Sequence, residues 1–188
     1  LGGTAMGFVI GVLRAVASSW TNALLGAVLD VFRSIPLLIQ FILANSFKSI
    51  IGLDMSAFMV ACVVLALYTS AYCTEIVRAG VLAVPSTTRR AARSLGMTWS
   101  QDLRYIVYPI ALRVSLPSWV GLTLGVMKDT ALVLWIGIVE LLRASQVIVT
   151  RIQEPLLVLM LCGLIYFLMS YPISRLGAYL ESRWRDDD

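Results

Sequence analysis

The apolar positions of this chain fall into five runs, residues 1–13, 23–47, 57–84, 114–142 and 155–173, separated by polar stretches. The runs are too continuous for half-buried strands, and most exceed the roughly 20 residues a helix needs to cross a bilayer. The pattern predicts an all-α integral membrane fold with five spans in a single domain over residues 1–188. The first run stops at Arg14, short of a full span, and the chain opens at Leu1 without a methionine, so the sequence is expected to start inside a helix. Gly3, Gly7 and Gly11 recur every four residues and place a small-residue stripe on one helix face, where a neighbour can approach closely. Asp30, Arg33 and Pro36 interrupt the second run. Asp30 and Arg33, three apart, share a helix face, and Pro36 predicts a kink or a restart. Residues 14–22 and 48–56 read as polar connections, residues 143–154 as a loop, and residues 174–188 as a charged tail.

The longest polar interruption, residues 85–109, carries Arg89, Arg90, Arg93 and Arg104 against one acid, Asp102. Its punctuation describes two short helices. Ser86 after Pro85 is a good N-cap and Gly96 a left-handed stop; Thr98 with Gln101 forms a capping box that opens a second helix into Leu103 and Ile106.

Composition narrows the class. At 59% hydrophobic and 14% charged the chain is far more apolar than a soluble domain, and nucleic acid is a poor partner for it. There is no histidine, which removes His-based triads, His-ligated zinc and imidazole acid–base work. Cys62, Cys73 and Cys162 lie unpaired in apolar runs and read as small hydrophobes. No GxxxxGK[ST] loop is present, so energy for driven work must enter through a partner. Five alternating spans place Arg14, Arg33, Arg78, the four arginines of residues 85–109, Arg113, Arg175, Arg183 and Arg185 on one side, against Lys48, Arg143 and Arg151 on the other. The positive-inside rule makes the first side cytoplasmic, with the N-terminus outside and the C-terminus inside. The basic segment then faces the cytoplasm, where its helices suit a groove on a cytoplasmic protein or, equally, lipid headgroups.

Candidate chemistry lies in the charges within the runs. Lys128 and Asp129 are adjacent and point in different directions, so they supply a cation and an acceptor for the two ends of a zwitterion; alternatively each is neutralised by another helix, for instance through Glu75, Arg78 or Glu140. Tyr68, Thr69, Ser70 and Tyr72 form a polar, aromatic patch that can line a solute path or bond back to its own helix. Gln40 and Asn45 are amides that bond a neighbouring helix or a solute. Glu75 with Arg78 reads as a pair within one helix near the cytoplasmic boundary.

The run RAARSLGMTWSQDLRYIVYP resembles the cytoplasmic EAA loop of ABC importer permeases: Arg90, Ala91, Ala92, Gly96, Ile106 and Pro109 stand at its intervals. Arg90 replaces the pattern's glutamate and Tyr108 its leucine. FRSIPLLIQ from Phe32 resembles the FRGTPLLVQ signature of the polar amino acid subfamily, and AYCTEIVRAG, MKDTALV and IGIVELLRASQ resemble further segments in the same order. The resemblance implies a type I importer permease in a bacterial inner membrane, working by alternating access with a second permease subunit, the same or a related chain. It implies a cytoplasmic ABC ATPase dimer that holds the ATP and magnesium, an extracytoplasmic binding protein and an amino-acid-like solute, with no cofactor or metal in this chain. Ser86, Arg89, Arg90, Ala91, Ala92, Arg93, Leu95 and Gly96 would form the coupling helix in the ATPase cleft. An ion-coupled transporter or channel is the competing class; it needs midplane carboxylates, and Asp129 is the one midplane acid.

Overall fold

A computed structural model describes residues 1–185. Nine α-helices run through them: α1 (Gly2–Val16), α2 (Ser19–Ser34), α3 (Leu37–Ile50), α4 (Ala57–Leu82), α5 (Ser86–Ser94), α6 (Trp99–Asp102), α7 (Tyr108–Asp129), α8 (Leu141–Ile152) and α9 (Pro155–Arg185). A π turn, Leu103–Val107, joins α6 to α7, and a 3-10 segment, Thr130–Ile136, continues α7. Among the described residues three stretches are long and apolar enough to cross a membrane: α4, the 38-residue helical run Trp99–Ile136, and α9. The α2–α3 pair also passes the test, but it bends by 98° at its break. Pro36 is the cause: it cannot supply the helical N–H, so α2 ends at Ser34 and α3 restarts on Pro36 as its N-cap. Gln40 closes the bend by donating from Nε2 to the Phe32 and Ile35 carbonyls at 2.7 and 2.8 Å.

α4 is the axis. α1 and α7 pack along it on two sides, α2 and α3 cross it, and α9 reaches the bundle through α7. The approach of α1 depends on its glycines. A Cβ at Gly7 would stand 2.6 Å from Cys73 Cβ, and one at Gly11 would stand 2.7 Å from Val77 Cβ. Across this seam Thr74 donates to the Gly7 carbonyl at 3.3 Å. The same device recurs at Gly80, where Ser115 of α7 donates to the Ile76 carbonyl at 3.2 Å, and at Gly177 of α9, which lies against Val120. Away from α1, a core of Leu37, Phe41, Val60, Ala61, Val64, Val133 and Ile136 joins α3, α4 and the 3-10 segment. Large apolar side chains on the outside of α9, such as Leu156, Met160 and Leu168, stay exposed, as a lipid-facing surface requires.

Four expectations need correction. Residues 143–154 are largely helix, because Glu140 N-caps α8 by accepting from the Leu142 and Arg143 amides at 2.9 and 2.8 Å. The expected tail is helical as far as Arg185, since α9 runs on through Pro172; Asp186, Asp187 and Asp188 lie outside the described residues. Ser86 is the first residue of α5, and Pro85 holds the cap position. Most consequentially, the second helix of the basic segment is not separate: α6 flows through the π turn into α7. The ring of Pro109 would collide with the carbonyl four residues back in a regular helix, and the wider π turn beside it absorbs that conflict without ending the helix.

Gly7→Val is expected to destabilise the protein by about 1–3 kcal/mol through overpacking, whereas Gly163→Ala, with open space around its Cβ, should be close to neutral. Thermal unfolding of the detergent-solubilised protein distinguishes the two.

Candidate functional site

Two groups of polar side chains stand out, one in the membrane body and one in the segment between α4 and α7. In the body, Arg14 at the end of α1 is only 8% exposed, so its charge must be answered inside the protein. Glu75 of α4 answers it as an ion pair, while Arg14 Nε donates to Asn22 Oδ1 at 3.0 Å and Nη2 to the Asn22 carbonyl at 3.3 Å. Gly26 of α2 makes room, since a Cβ there would come 2.7 Å from Arg14 Nη2. Glu75 is shared: Arg78 reaches it at 3.5 Å and Arg33 at 4.0 Å. Arg33 also pairs with Asp30 at 3.1 Å and lies over the Tyr72 ring, 5.6 Å from its centroid. Three guanidiniums therefore surround one carboxylate. The sequence reading of Glu75 with Arg78 as a local pair missed this network, because Arg14 is 61 residues away from Glu75. An arginine directly after a glycine-lined run was the available signal.

The network continues along one face of α4. Tyr72 packs on Tyr68 with ring centroids 4.7 Å apart, and its hydroxyl donates to the Arg33 carbonyl at 3.3 Å. Tyr68 also packs against the core that Val133 of the 3-10 segment joins, four residues after Asp129 closes α7. Among the described residues neither Lys128 nor Asp129 forms an ion pair with another helix: Glu75 and Arg78 belong to the Arg14 network, and Glu140 caps α8 while accepting from the Tyr166 hydroxyl at 3.1 Å. Tyr68 and Tyr72 are thus brought together, and Lys128 and Asp129 stand at the end of α7 that leads into the core on which Tyr68 packs. Thr69 and Ser70 face elsewhere, into the α1 seam, where a Cβ at Gly3 would meet Thr69 Cβ at 2.9 Å and Ser70 is 1% exposed. Gln40 is occupied at the α2–α3 bend. A groove of about 500 Å³ between α1 and α7 is lined by Phe8, Val12, Val77, Leu112 and Trp119, a surface that suits an apolar occupant.

Between α4 and α7, α5 is a nine-residue helix with Ala92 buried and Arg90, Ala91, Arg93 and Leu95 exposed. Gly96 ends it in the left-handed region, φ +83°, and the capping box of Thr98 and Gln101 starts α6 at once. Arg89 does not share the outward face. It turns to Asp102, which is fully buried. Arg104 lies over the ring of Tyr105, 5.8 Å from its centroid.

With this geometry in place, residues 3–186 match the family described as the binding-protein-dependent transport system inner membrane component. The nopaline transport system permease protein NocM of Agrobacterium fabrum is 32% identical, over 94% of this chain and 79% of that protein. The probable glutamine ABC transporter permease protein GlnP of Bacillus subtilis is 29% identical, over 94% of this chain and 83% of that one. Among solved structures, a crystal structure of an amino acid ABC transporter with histidines is similar with a TM-score of 0.84 at 31% identity, covering 97% of this chain and 87% of its counterpart.

The charge network makes a graded prediction. Glu75→Gln strands the buried Arg14 and should cost about 3–5 kcal/mol. Asp30→Asn removes half of an exposed pair and should cost less than about 1 kcal/mol. Denaturation of the two purified variants in the same detergent reads the difference.

Proposed function

The chain belongs to the binding-protein-dependent transport system inner membrane component family, and from that premise we propose that it is the permease subunit of an ATP-driven importer for amino acids or related small polar solutes. A bacterial inner-membrane location follows from the family. The family is a transport membrane subunit whose ATPase is a separate partner, so nucleotide chemistry belongs to that partner. The observation that carries the reading is a short helix, α5, projecting an exposed face from the foot of a 38-residue helical run, in a chain that is similar over nearly all its length to amino acid permeases.

In this reading the chain is one permease domain crossing the membrane five times: α1, the bent α2–α3 pair, α4, the run from α6 to the 3-10 segment, and α9. The N-terminus lies outside and the C-terminus inside, which puts α5 on the cytoplasmic side with the excess of arginines. The exposed residues of α5 enter a cleft of a cytoplasmic ATPase dimer that binds ATP and magnesium. Closure of that dimer moves α5 of this chain and of a second permease subunit, and the spans rock between inward-open and outward-open arrangements. A binding protein delivers the solute from outside.

Within the membrane, Lys128, Asp129, Tyr68 and Tyr72 form the solute-facing surface. Lys128 offers a cation to a carboxylate, Asp129 an acceptor to an ammonium, and the tyrosines flank both. Because Lys128 and Asp129 have no ion-pair partner on another helix among the described residues, a zwitterion can engage both charges without breaking a bridge. Arg14, Arg33, Glu75 and Arg78 hold α1, α2 and α4 together beneath this surface.

The reading is tested in proteoliposomes that contain the chain with its ATPase and binding protein. Amino acid uptake should require ATP and persist without any ion gradient. Gly96→Asp, which forces a non-glycine residue into positive φ at the end of α5, should reduce uptake at least about tenfold, within the range of ordinary coupling energies, while the protein still inserts. Uptake driven by an ion gradient without ATP, or unaltered ATP-driven uptake in Gly96→Asp, contradicts the reading.

A further inference from the structure

α5 is attached to the rest of the protein from one side. Its substantial packing is against α6 and the π turn, which are parts of the helical run that becomes α7; it follows α4 only through the short link after Leu82. Its ends are short links, with Pro85 at the N-cap and Gly96, at φ +83°, turning the chain into α6. A nine-residue helix so placed has little stability of its own, so its orientation must come from its contacts.

The dominant contact is ionic and buried. Arg89 Nε and Nη2 both donate to Asp102 Oδ2, at 3.0 and 2.9 Å. Asp102 is wholly inaccessible, Arg89 is one-quarter exposed, and Asp102 Oδ1 is buried without a hydrogen-bond partner among the described residues. A buried carboxylate with one oxygen orphaned depends on its single guanidinium, so this joint is either intact or strongly penalised. Asp102 is also the last residue of α6, directly before the π turn. The charge that fixes α5 therefore sits on the axis of the α7 run. Ala92, 5% exposed, is the small residue that lets α5 lie close on the same side.

We propose that the Arg89–Asp102 pair is a latch that makes α5 and the α6–α7 run one rigid body, so that displacement of α5 is delivered to the α7 span and not absorbed by the links at its two ends. Arg89 is thereby a positioning residue that acts through Asp102, and the partner-facing charge of α5 is carried by Arg90 and Arg93. The proposal rests on the reading of α5 as the ATPase-facing helix. It adds which span receives the motion and through which bond.

The test uses the assembled transporter in proteoliposomes, with Asp102→Asn, Arg89→Gln, the double variant and Arg89→Lys. Three quantities are measured: ATPase retained on the permease, ATP hydrolysed, and solute moved per ATP. With the latch, ATPase stays bound and solute moved per ATP falls about tenfold in each single variant, a coupling loss of ordinary size. The double variant should be no worse than either single one, because both remove the same bond. Arg89→Lys, which keeps the charge, should lose less than Arg89→Gln. Since Arg89 is partly exposed, its two variants keep the test decisive if Asp102→Asn fails to assemble. A normal ratio of solute to ATP in Arg89→Gln, or losses that add in the double variant, overturns the latch while leaving α5 as the docking helix. Failure of ATPase to associate with the unaltered chain overturns the underlying reading.

Discussion

Lipid is as apolar as leucine, so a membrane helix gains little from burying leucine against a neighbour. What can hold helices together is close backbone approach and the internal answering of polar groups, and α4 uses both. Gly3, Gly7 and Gly11 bring α1 within touching distance, Gly80 does the same for α7, and the shared carboxylate of Glu75 collects Arg14, Arg33 and Arg78. Remove the glycines and the arginine of α1 cannot reach Glu75; remove Glu75 and the arginine has no reason to be buried. The seam and the ion pair depend on one another, and the rest of the bundle is arranged around the helix that carries both.

In the proposed reading, function divides along the length of α4. The surface of Tyr68 and Tyr72 flanks the solute in that reading, with Tyr72 also tied to the charge network through the Arg33 carbonyl and guanidinium. The charge network one turn further on is heavily committed, which suits a joint that must not slip. Beyond it the chain leaves α4, forms α5 and returns as one long helical run. Work done on α5 enters the membrane through α7, and α7 carries Lys128 and Asp129 at its far end. A single helix thus connects the proposed ATPase contact to the proposed solute surface.

Local features were legible in the sequence because their causes are local. The glycine stripe, the Pro36 break, the Asp30–Arg33 pair, the Gly96 stop and the Thr98 capping box each follow from residues within one or two turns. Features that depend on distant partners were not. Arg14 reads as a boundary charge until Glu75 is placed beside it, and Asp102 reads as a lone acid among arginines until α5 folds back on it. Gln40 looks available for a solute but closes the α2–α3 bend, and Thr69 and Ser70 look equivalent to Tyr68 and Tyr72 until the face taken by α1 is known. Pro109 suggests a helix boundary, yet a π turn lets the helix continue past it; that continuity turns a pair of short helices into a lever.

The claim that this lever moves as one piece is most directly tested by pulsed dipolar spectroscopy on the assembled transporter, with exposed Cys62 replaced and spin labels placed pairwise at Ser94 on α5, Ser118 on α7 and Ser49 on α3. The account predicts that the Ser94–Ser118 distance is the same with and without trapped ATP, while the Ser94–Ser49 distance changes. A Ser94–Ser118 distance that shifts on ATP trapping, with Ser118 and Ser49 fixed relative to each other, would contradict it.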